Sequence, residues 1–562
     1  MSFANRVPRF ILLVLLALTA SGIMFYLADG NLASGNMHNV VRNWEQYGLL
    51  TLKGKLVTNP GGYEALTRPE VYKGHRAASL YPVFFIKRLF AWTGAGTLAV
   101  HVVLSLTLLL SIWFLLGKSR VAWLAGAAAI LCPGYIHDQT YYLDPNAIAL
   151  LMGLPFAAII LPLLVRPSLS PMALAALLLT IAAYTMLNWT TAFVHGMLLA
   201  YLVASRQISK RRLGLYVALA GVNLILVAGI SVLDKRGGAG FKDFLGWYLW
   251  GSGGYGTYLT ADRAVVRLLF VGTAGLLPLL LVYGYVLAQR AKWNSKEPWV
   301  AFLPLGAAVL GVGVMRNYFG TVPWMAAPAF LAALVLSMRL MVEGKNGTST
   351  VPDTQVGRKM LAPVAFLAGC FVYASGTIVV ASLKDSEARA LVTLVRAHTA
   401  RSDTIVLVDT DPRLAGIAGG VADFADRRVV VLNDLSAGEY IGGRAFLLST
   451  SGEVKLPLLA KTSQPALASW PLVRDLLALY STRVARRLPG DQGLRPGTCY
   501  LYELNNDKRE AKPQVIPRQV QRTNGSPSEN PMPLRCPGPS GSSPGEASAH
   551  QAGSDAPGRA EV

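Results

Sequence analysis

Residues 97–120 read TLAVHVVLSLTLLLSIWFLLGKSR, an apolar run that ends in two basic residues. A helix needs about 20 apolar residues to cross the hydrocarbon core of a bilayer, and this run has that length. Similar runs recur from residue 9 to residue 383, and the whole chain of 562 residues is 53% apolar and only 15% charged. Soluble enzymes rarely have this composition. The sequence therefore predicts a polytopic α-helical membrane protein.

Eleven membrane helices are expected where apolar runs alternate with polar or charged turns. An uncleaved first helix is preferred to a signal peptide, because Ser21-Gly22 is followed at once by more apolar sequence. The predicted helices span residues 9–27, 97–117, 121–136, 146–165, 171–187, 192–205, 213–233, 265–288, 298–315, 325–342 and 360–383.

Basic residues predict the orientation of these helices. If the N-terminus is cytoplasmic, the loop that follows each even-numbered helix is cytoplasmic. Each of these loops carries basic residues, as the positive-inside rule requires. Much of the net charge of +21 is then a topology signal, and no nucleic-acid partner is expected. The outer face receives the loops at residues 28–96, 137–146, 234–264 and 316–324, and everything after residue 383.

The part of the chain after residue 383 has the pattern of a small α/β domain. Short β-branched apolar runs predict strands, and helix-like segments lie at 385–399 and 469–487. We therefore expect a membrane domain over 1–383, an extracytoplasmic α/β domain over 384–505, and a disordered tail over 506–562, where Pro, Ser and Gly dominate. The predicted strands span residues 403–409, 427–433, 445–450 and 498–504.

A basic cluster lies in the first outer loop, where residues 68–82 read RPEVYKGHRAASLYP. Lys73, His75 and Arg76 cannot be explained as charges retained in the cytoplasm, so an anion such as a lipid-linked phosphate is expected there. The alternative is contact with anionic lipid headgroups. The next segment, 80–92, combines apolar residues at helical spacing with two cations and predicts a helix on the membrane surface.

Three carboxyl groups at outer helix ends, those of Asp29, Asp138 and Asp144, could take a proton from an acceptor. Each could instead be a helix cap, above all Asp144, which precedes Pro145. The neighbouring outer loops offer Arg316 for a phosphate, beside Tyr318, and Trp247 and Tyr248 for a sugar or a polyprenyl chain. The four cysteines lie far apart and predict neither a disulfide framework nor a metal site, and a requirement for a divalent cation stays open.

Three stretches carry a resemblance to the GT-C superfamily of membrane glycosyltransferases, in its protein O-mannosyltransferase and aminoarabinose transferase branch. They are ASGNMHNVVRNWEQYGLL (33–50), RPEVYKGHRAASLYPVFFIKRLFAWTG (68–94) and MRNYFGTVPWMAAPAFLAAL (315–334). The order of a first helix, a long outer loop, short later loops and an outer C-terminal domain is also similar, over residues 1 to about 505.

The resemblance implies transfer of a sugar from a polyprenyl-phosphate donor to an extracytoplasmic lipid, glycan or protein, at a bacterial inner membrane. It implies a carboxylate base and a clamp of Lys73, Arg76 and Arg316 on the leaving phosphate. The chain departs from the family at Asn36-Met37, where an acidic residue is usual. Either Asp29 is the base, or Asp138 or Asp144 is, or the chain has lost the chemistry.

Three other classes of protein remain. The first is a non-catalytic scaffold or assembly factor for envelope polysaccharide, which the missing acidic residue favours. The second is a lipid-linked glycan polymerase or ligase, although these usually carry their large outer loop late in the chain. The third and least favoured is a transporter, because the predicted helices carry few ionisable residues besides His101 and His195.

Overall fold

The computed structural model of this chain is mainly helical, with one β-sheet near its C-terminal end. It describes residues 7–29, 35–57, 71, 77–90, 94–117, 120–139, 144–166, 168–234, 261–291, 298–321, 323–343, 365–370, 372–374, 391–400, 403–408, 427–432, 444–449, 454, 456–462 and 499–504.

Helix α1 precedes a folded segment that contains two further helices. Trp44 of α2 donates a hydrogen bond from Nε1 to the Lys55 carbonyl oxygen at 2.8 Å, and its ring packs against Tyr81, with the ring centroids 5.5 Å apart. Helix α3 lies within the segment predicted to form a surface helix, and it exposes Phe85 and Leu89 on one side. Its position at the membrane surface stays a prediction. The three helices are α1 Val7–Asp29, α2 Gly35–Tyr47 and α3 Tyr81–Phe90.

The remaining helices form a bundle. Within the described residues, five helical stretches are long and apolar enough to cross a membrane, and six shorter ones are also apolar. The chain is thus a polytopic membrane protein, while the count of eleven crossings remains a prediction. The helices are α4 Gly94–Leu116, α5 Arg120–Ile130, α6 Pro133–Gln139, α7 Pro145–Leu151, α8 Gly153–Val165, α9 Pro171–Thr185, α10 Thr191–Ser205, α11 Lys210–Asp234, α12 Ala261–Thr273, α13 Leu277–Ala291, α14 Leu303–Val314, α15 Arg316–Thr321 and α16 Ala327–Glu343.

The predicted helix 121–136 is wrong as a single element. The chain breaks at Leu131 and Cys132 and continues as the short helix α6. Cys132 precedes Pro133, and a residue before proline is disfavoured in the helical conformation, which explains the break. The predicted outer turn at 137–146 therefore begins with the end of α6, which carries Asp138.

Helix α16 is at the centre of the bundle, and 83% of its span Trp324–Val342 is buried inside the protein. It packs against α4, α10, α13 and α14 and against the short helices α6 and α7, with Gly134 of α6 next to Ala327. The start of α16 is thereby fixed beside the two short helices that carry Asp138 and Asn146.

The span formed by α7 and α8 has opposite chemistry at its two ends. Asp144 lies at the N-terminus of α7, whereas Arg212 donates a hydrogen bond from Nη1 to the carbonyl oxygen of Leu164 in the last turn of α8, at 2.9 Å. About 20 helical residues separate these positions by about 30 Å. In the predicted topology, Asp144 would face outward and Arg212 would belong to an inner loop.

Gly134 allows α6 to approach the rest of the bundle closely. A Cβ atom at this position would lie 3.0 Å from the Cβ of Ala327 and 3.0 Å from the carbonyl oxygen of Gly275. Gly275 is itself tight, because a Cβ there would lie 3.0 Å from the ring of Trp324. The position of Asp138 therefore depends on two glycines.

We expect Gly134→Ala to destabilise the protein by about 1–3 kcal/mol, because the added methyl group meets a backbone oxygen that cannot easily move. Gly196→Ala is the control, since a Cβ in that helix has no neighbour within 4 Å and alanine favours helices. Thermal unfolding of the two purified variants would measure the difference. Equal unfolding temperatures would contradict the tight packing of α6.

The C-terminal sheet has five strands in the order β2-β1-β3-β5-β4. Strands β2, β1 and β3 are parallel, whereas β5 is antiparallel to both β3 and β4. All four predicted strands are present, but β4 was not predicted. The strands are β1 Thr404–Val408, β2 Arg428–Leu432, β3 Ala445–Ser449, β4 Leu458–Thr462 and β5 Cys499–Leu504, and a helical segment at 391–398 packs on the sheet.

Candidate active site

Asp138 is a fully buried carboxyl group near the end of α6. Gln139 donates a hydrogen bond from Nε2 to Asp138 Oδ2 at 3.4 Å, and Oδ1 has no hydrogen-bond partner among the described residues. Burial raises the pKa of the Asp138 carboxyl well above its usual range, and the negative charge of Asp144 raises it further. Burial therefore favours the protonated, uncharged form of the Asp138 carboxyl.

Asp144 is half-buried and caps helix α7. Its Oδ1 atom accepts hydrogen bonds from the backbone N–H groups of Asn146 at 2.7 Å and Ala147 at 3.3 Å, which confirms the helix cap that the sequence suggested. Burial raises the pKa of Asp144 to about 6, although these hydrogen bonds oppose the rise. Asp144 is thus mostly ionised at pH 7 and remains able to accept a proton.

Asn146 links Asp144 to a distant helix. Its side-chain amide hydrogen-bonds the Asp144 carboxylate and donates a short hydrogen bond from Nδ2 to the hydroxyl group of Tyr318. Tyr318 in turn contacts the sulfur of Met325 at 3.4 Å. Tyr318 lies in α15, so this hydrogen bond joins the start of α7 to α15. We call Asp138, Gln139, Asp144, Asn146 and Tyr318 the polar cluster.

A buried cation lies near the polar cluster. Lys87 of α3 is only 2% exposed and lies within electrostatic range of His101 on α4, which in turn interacts with the Gln139 side chain. Helix α3 therefore places a positive charge inside the protein, on the side of the carboxyl groups. Lys87 was recognised as a cation of the outer loop but not as a site residue.

A short helix that follows the basic cluster in sequence packs against the helix that carries Asn146. The short helix Ala77–Leu80 begins one residue after Arg76 and packs against α7, the helix that Asp144 caps. Lys73, His75 and Arg76 themselves lie outside the described residues.

The other predicted site residues have different outcomes. Tyr318 is buried in the polar cluster, and Arg316 is exposed at the first residue of α15. Asp29 is the last residue of α1, and its side chain lies outside the described residues, as do Trp247 and Tyr248. The described part of the chain contains no group of three His, Cys, Asp or Glu residues that could hold a metal ion.

Residues 188–190 join the site, although sequence reasoning noted them only as a helix boundary. They form the turn between α9 and α10. The Trp189 ring packs edge-on against Tyr318 with centroids 5.7 Å apart, and Asn188 and Thr190 are fully buried. The signal that could have drawn attention to them is their place between the predicted helices 171–187 and 192–205, which an alternating topology puts on the same side as residues 137–146.

No family model and no characterised protein sequence matches the chain. Among solved structures it is similar to ArnT from Cupriavidus metallidurans bound to undecaprenyl phosphate, with a TM-score of 0.48 and 12% identity over 87% of this chain and 97% of that one. It is also similar to ArnT from the same organism in the apo state, with a TM-score of 0.47 and 13% identity over 82% and 97% of the two chains. Both TM-scores are below 0.5, so the function has to be inferred from the chain's own residues.

Proposed function

We propose that this membrane protein is a glycosyltransferase that moves a sugar from a polyprenyl-phosphate donor to an extracytoplasmic acceptor. The observation that carries the proposal is the meeting of the carboxyl groups of Asp138 and Asp144 with Tyr318 at one end of the helical bundle, close to the buried Lys87. The sequence resemblance to GT-C glycosyltransferases supports the same class of reaction.

Asp144 is the proposed general base. Its carboxylate takes the proton from the acceptor hydroxyl or amine while the acceptor atom attacks the anomeric carbon of the donor. The bond between that carbon and the phosphate oxygen breaks, and its electron pair leaves with the phosphate. Asp138, whose uncharged form is favoured by burial, is proposed to donate a hydrogen bond in this site. Asp29 remains the alternative base that the sequence suggested.

Cations stabilise the phosphate as it leaves. Negative charge grows on the phosphate oxygen during the displacement, and fixed positive groups in a site with little water stabilise that charge most strongly. Lys87 is the buried cation near the carboxyl groups. We propose that Arg316, together with Lys73, His75 and Arg76, completes this clamp.

The donor lipid approaches along the membrane surface. Phe85 and Leu89 of α3 are 56% and 78% exposed, as suits a helix in contact with acyl chains. A polyprenyl chain can thus remain in the bilayer while its phosphate reaches Lys87 on the opposite side of the same helix. Trp247 and Tyr248 are proposed to guide the chain.

The proposed setting is a bacterial inner membrane. Residues 1–383 would hold the site, residues 384–505 would form an α/β domain on the outer side, and residues 506–562 would be a tail. The acceptor would then be a lipid, glycan or protein on the outer side.

Deletion of the gene followed by mass spectrometry of surface glycans, lipid A and secreted glycoproteins tests the proposed function. We expect one of these products to lose a single sugar and to regain it when the wild-type gene is restored. No change in any of the three would overturn the proposal and favour a non-catalytic scaffold.

The pH dependence of transfer follows from Asp144. The pKa of its carboxyl is about 6 in the folded protein, so transfer should rise as the pH passes through 6 and level off above about 7.

The stability of the protein depends on the same carboxyl group. Its pKa in the unfolded chain is about 3.9, so the folded state holds the proton more tightly. The stability contributed by this proton is complete below about pH 4 and lost as the pH rises through 6. Initial rates and unfolding temperatures between pH 4.5 and 8 measure both effects, and a rate that is constant across this range would contradict the assignment.

A further inference from the structure

The turn between α9 and α10 uses part of its hydrogen-bonding capacity to hold its own shape. Asn188 Oδ1 accepts a hydrogen bond from the Trp189 backbone N–H at 2.7 Å. The Asn188 carbonyl oxygen accepts one from Thr191 Oγ1, also at 2.7 Å. These contacts fix the turn and use the side-chain oxygen of Asn188 and the hydroxyl group of Thr191.

Two polar groups of the same turn remain unused. Asn188 Nδ2 and Thr190 Oγ1 are buried and have no hydrogen-bond partner among the described residues, and both residues are 0% exposed. Leaving such groups without a partner costs free energy, so this pair can gain hydrogen bonds from a molecule that enters between the helices. By contrast, the buried hydroxyl groups of Thr185 and Thr191 are both hydrogen-bonded.

The turn lies next to the polar cluster. The Trp189 ring packs against Tyr318, which accepts the hydrogen bond from Asn146. A molecule that reaches Asn188 and Thr190 is therefore close to the proposed site of sugar transfer.

The chemistry of the turn fits a neutral molecule with hydroxyl groups. An amide N–H donates, and a threonine hydroxyl both donates and accepts, as a sugar hydroxyl also does. Among the described residues, no charged side chain hydrogen-bonds Asn188 or Thr190, so the turn presents an amide donor and a hydroxyl group without a formal charge. We propose that Asn188 and Thr190 form a subsite for the hydroxyl groups of a neutral donor sugar, an inference that rests on the proposed function.

The variant Thr190→Val tests this subsite, because valine keeps the shape of threonine and removes only its hydroxyl group. Thr191→Val is the matched control, since the neighbouring hydroxyl is already bonded to the Asn188 carbonyl oxygen. The full chain is purified in lipid nanodiscs. Its affinity is measured for undecaprenyl phosphate and for undecaprenyl phosphate that carries mannose, glucose or galactose.

We expect the wild-type protein to bind at least one sugar-bearing lipid more tightly than the bare lipid phosphate. Thr190→Val should weaken binding of that lipid about 3- to 10-fold, as expected for one lost hydrogen bond, and should bind the bare lipid as the wild type does. Thr191→Val should lower the unfolding temperature and change neither affinity more than about twofold. In Thr190→Val the unfolding temperature should not fall, because no protein hydrogen bond is lost.

The outcomes separate this inference from the proposed function. If the wild-type protein binds none of the four lipids, the proposed function and the subsite are overturned together. If the wild type binds all four lipids equally, or if Thr190→Val retains full affinity for the preferred one, the subsite alone is overturned. Asn188 and Thr190 would then hold only a buried water molecule.

Discussion

Asp144→Asn is expected to reduce sugar transfer by about 10²- to 10⁴-fold while the protein stays folded. An amide cannot take the proton from the acceptor, and general base catalysis contributes an effect of this size. Asparagine is as good a helix cap as aspartate, and its Oδ1 atom can still accept from the backbone N–H groups of Asn146 and Ala147. The variant thus removes the base and keeps the cap.

The measurement uses membranes from the deletion strain that express either wild-type or variant protein. The product is the one that mass spectrometry finds missing in that strain. Ser170→Ala is the control, because Ser170 caps α9 through a 3.2 Å hydrogen bond to the Ala173 backbone N–H. Losing that cap should cost about 1 kcal/mol of stability and leave transfer near the wild-type rate. Wild-type activity in Asp144→Asn would return the role of base to Asp29.

Local sequence signals predicted the elements whose own residues determine them. The apolar runs anticipated most helices of the bundle, and β-branched runs anticipated four strands. Strand β4 was missed because its sequence, LLAKT, contains no valine or isoleucine and forms a strand through its pairing with β5. Helix α6 was missed as a separate element, although Pro133 marked the break.

The candidate site was only partly predictable, for a related reason. Carboxyl groups at helix ends could be found in the sequence, and Asp138, Asp144 and Tyr318 were all candidates. That Asn146 bonds Tyr318, or that Asn188 is buried, depends on contacts between helices far apart in the chain. Sequence spacing does not specify such contacts, so the turn at 188–190 was not a candidate.

Lys87 had a signal in its own helix that was not used. It follows Val83 by four residues and Phe84 by three, so all three side chains share one face of α3, and all three are buried. Lys87 lies on the face of α3 that packs into the protein, so it points away from the lipid. The next residue, Arg88, is exposed. The contrast between these two neighbouring cations allows a direct test of the proposed phosphate clamp.

Lys87→Met is expected to reduce transfer by about 10²- to 10³-fold, the loss typical when one preorganised charge-stabilising group is removed. Binding of undecaprenyl phosphate should weaken by about tenfold or more, because a charge-assisted contact to the phosphate is lost. Methionine fills a similar volume and keeps the packing of the face shared with Val83 and Phe84, so the variant should stay folded, which its unfolding temperature measures. Lost activity with retained stability would identify a functional charge.

Arg88→Met is the matched control, since it removes the same charge from the same helix at an exposed position. Its transfer rate and lipid affinity should stay within about twofold of wild type, because exposed charges interact weakly in water and salt. Equal losses in the two variants would mean that the helix needs positive charge only to bind anionic lipid. A fully active Lys87→Met would show that Lys87 is not part of the clamp. The leaving phosphate would then be stabilised by Arg316 and the basic cluster of the first outer loop.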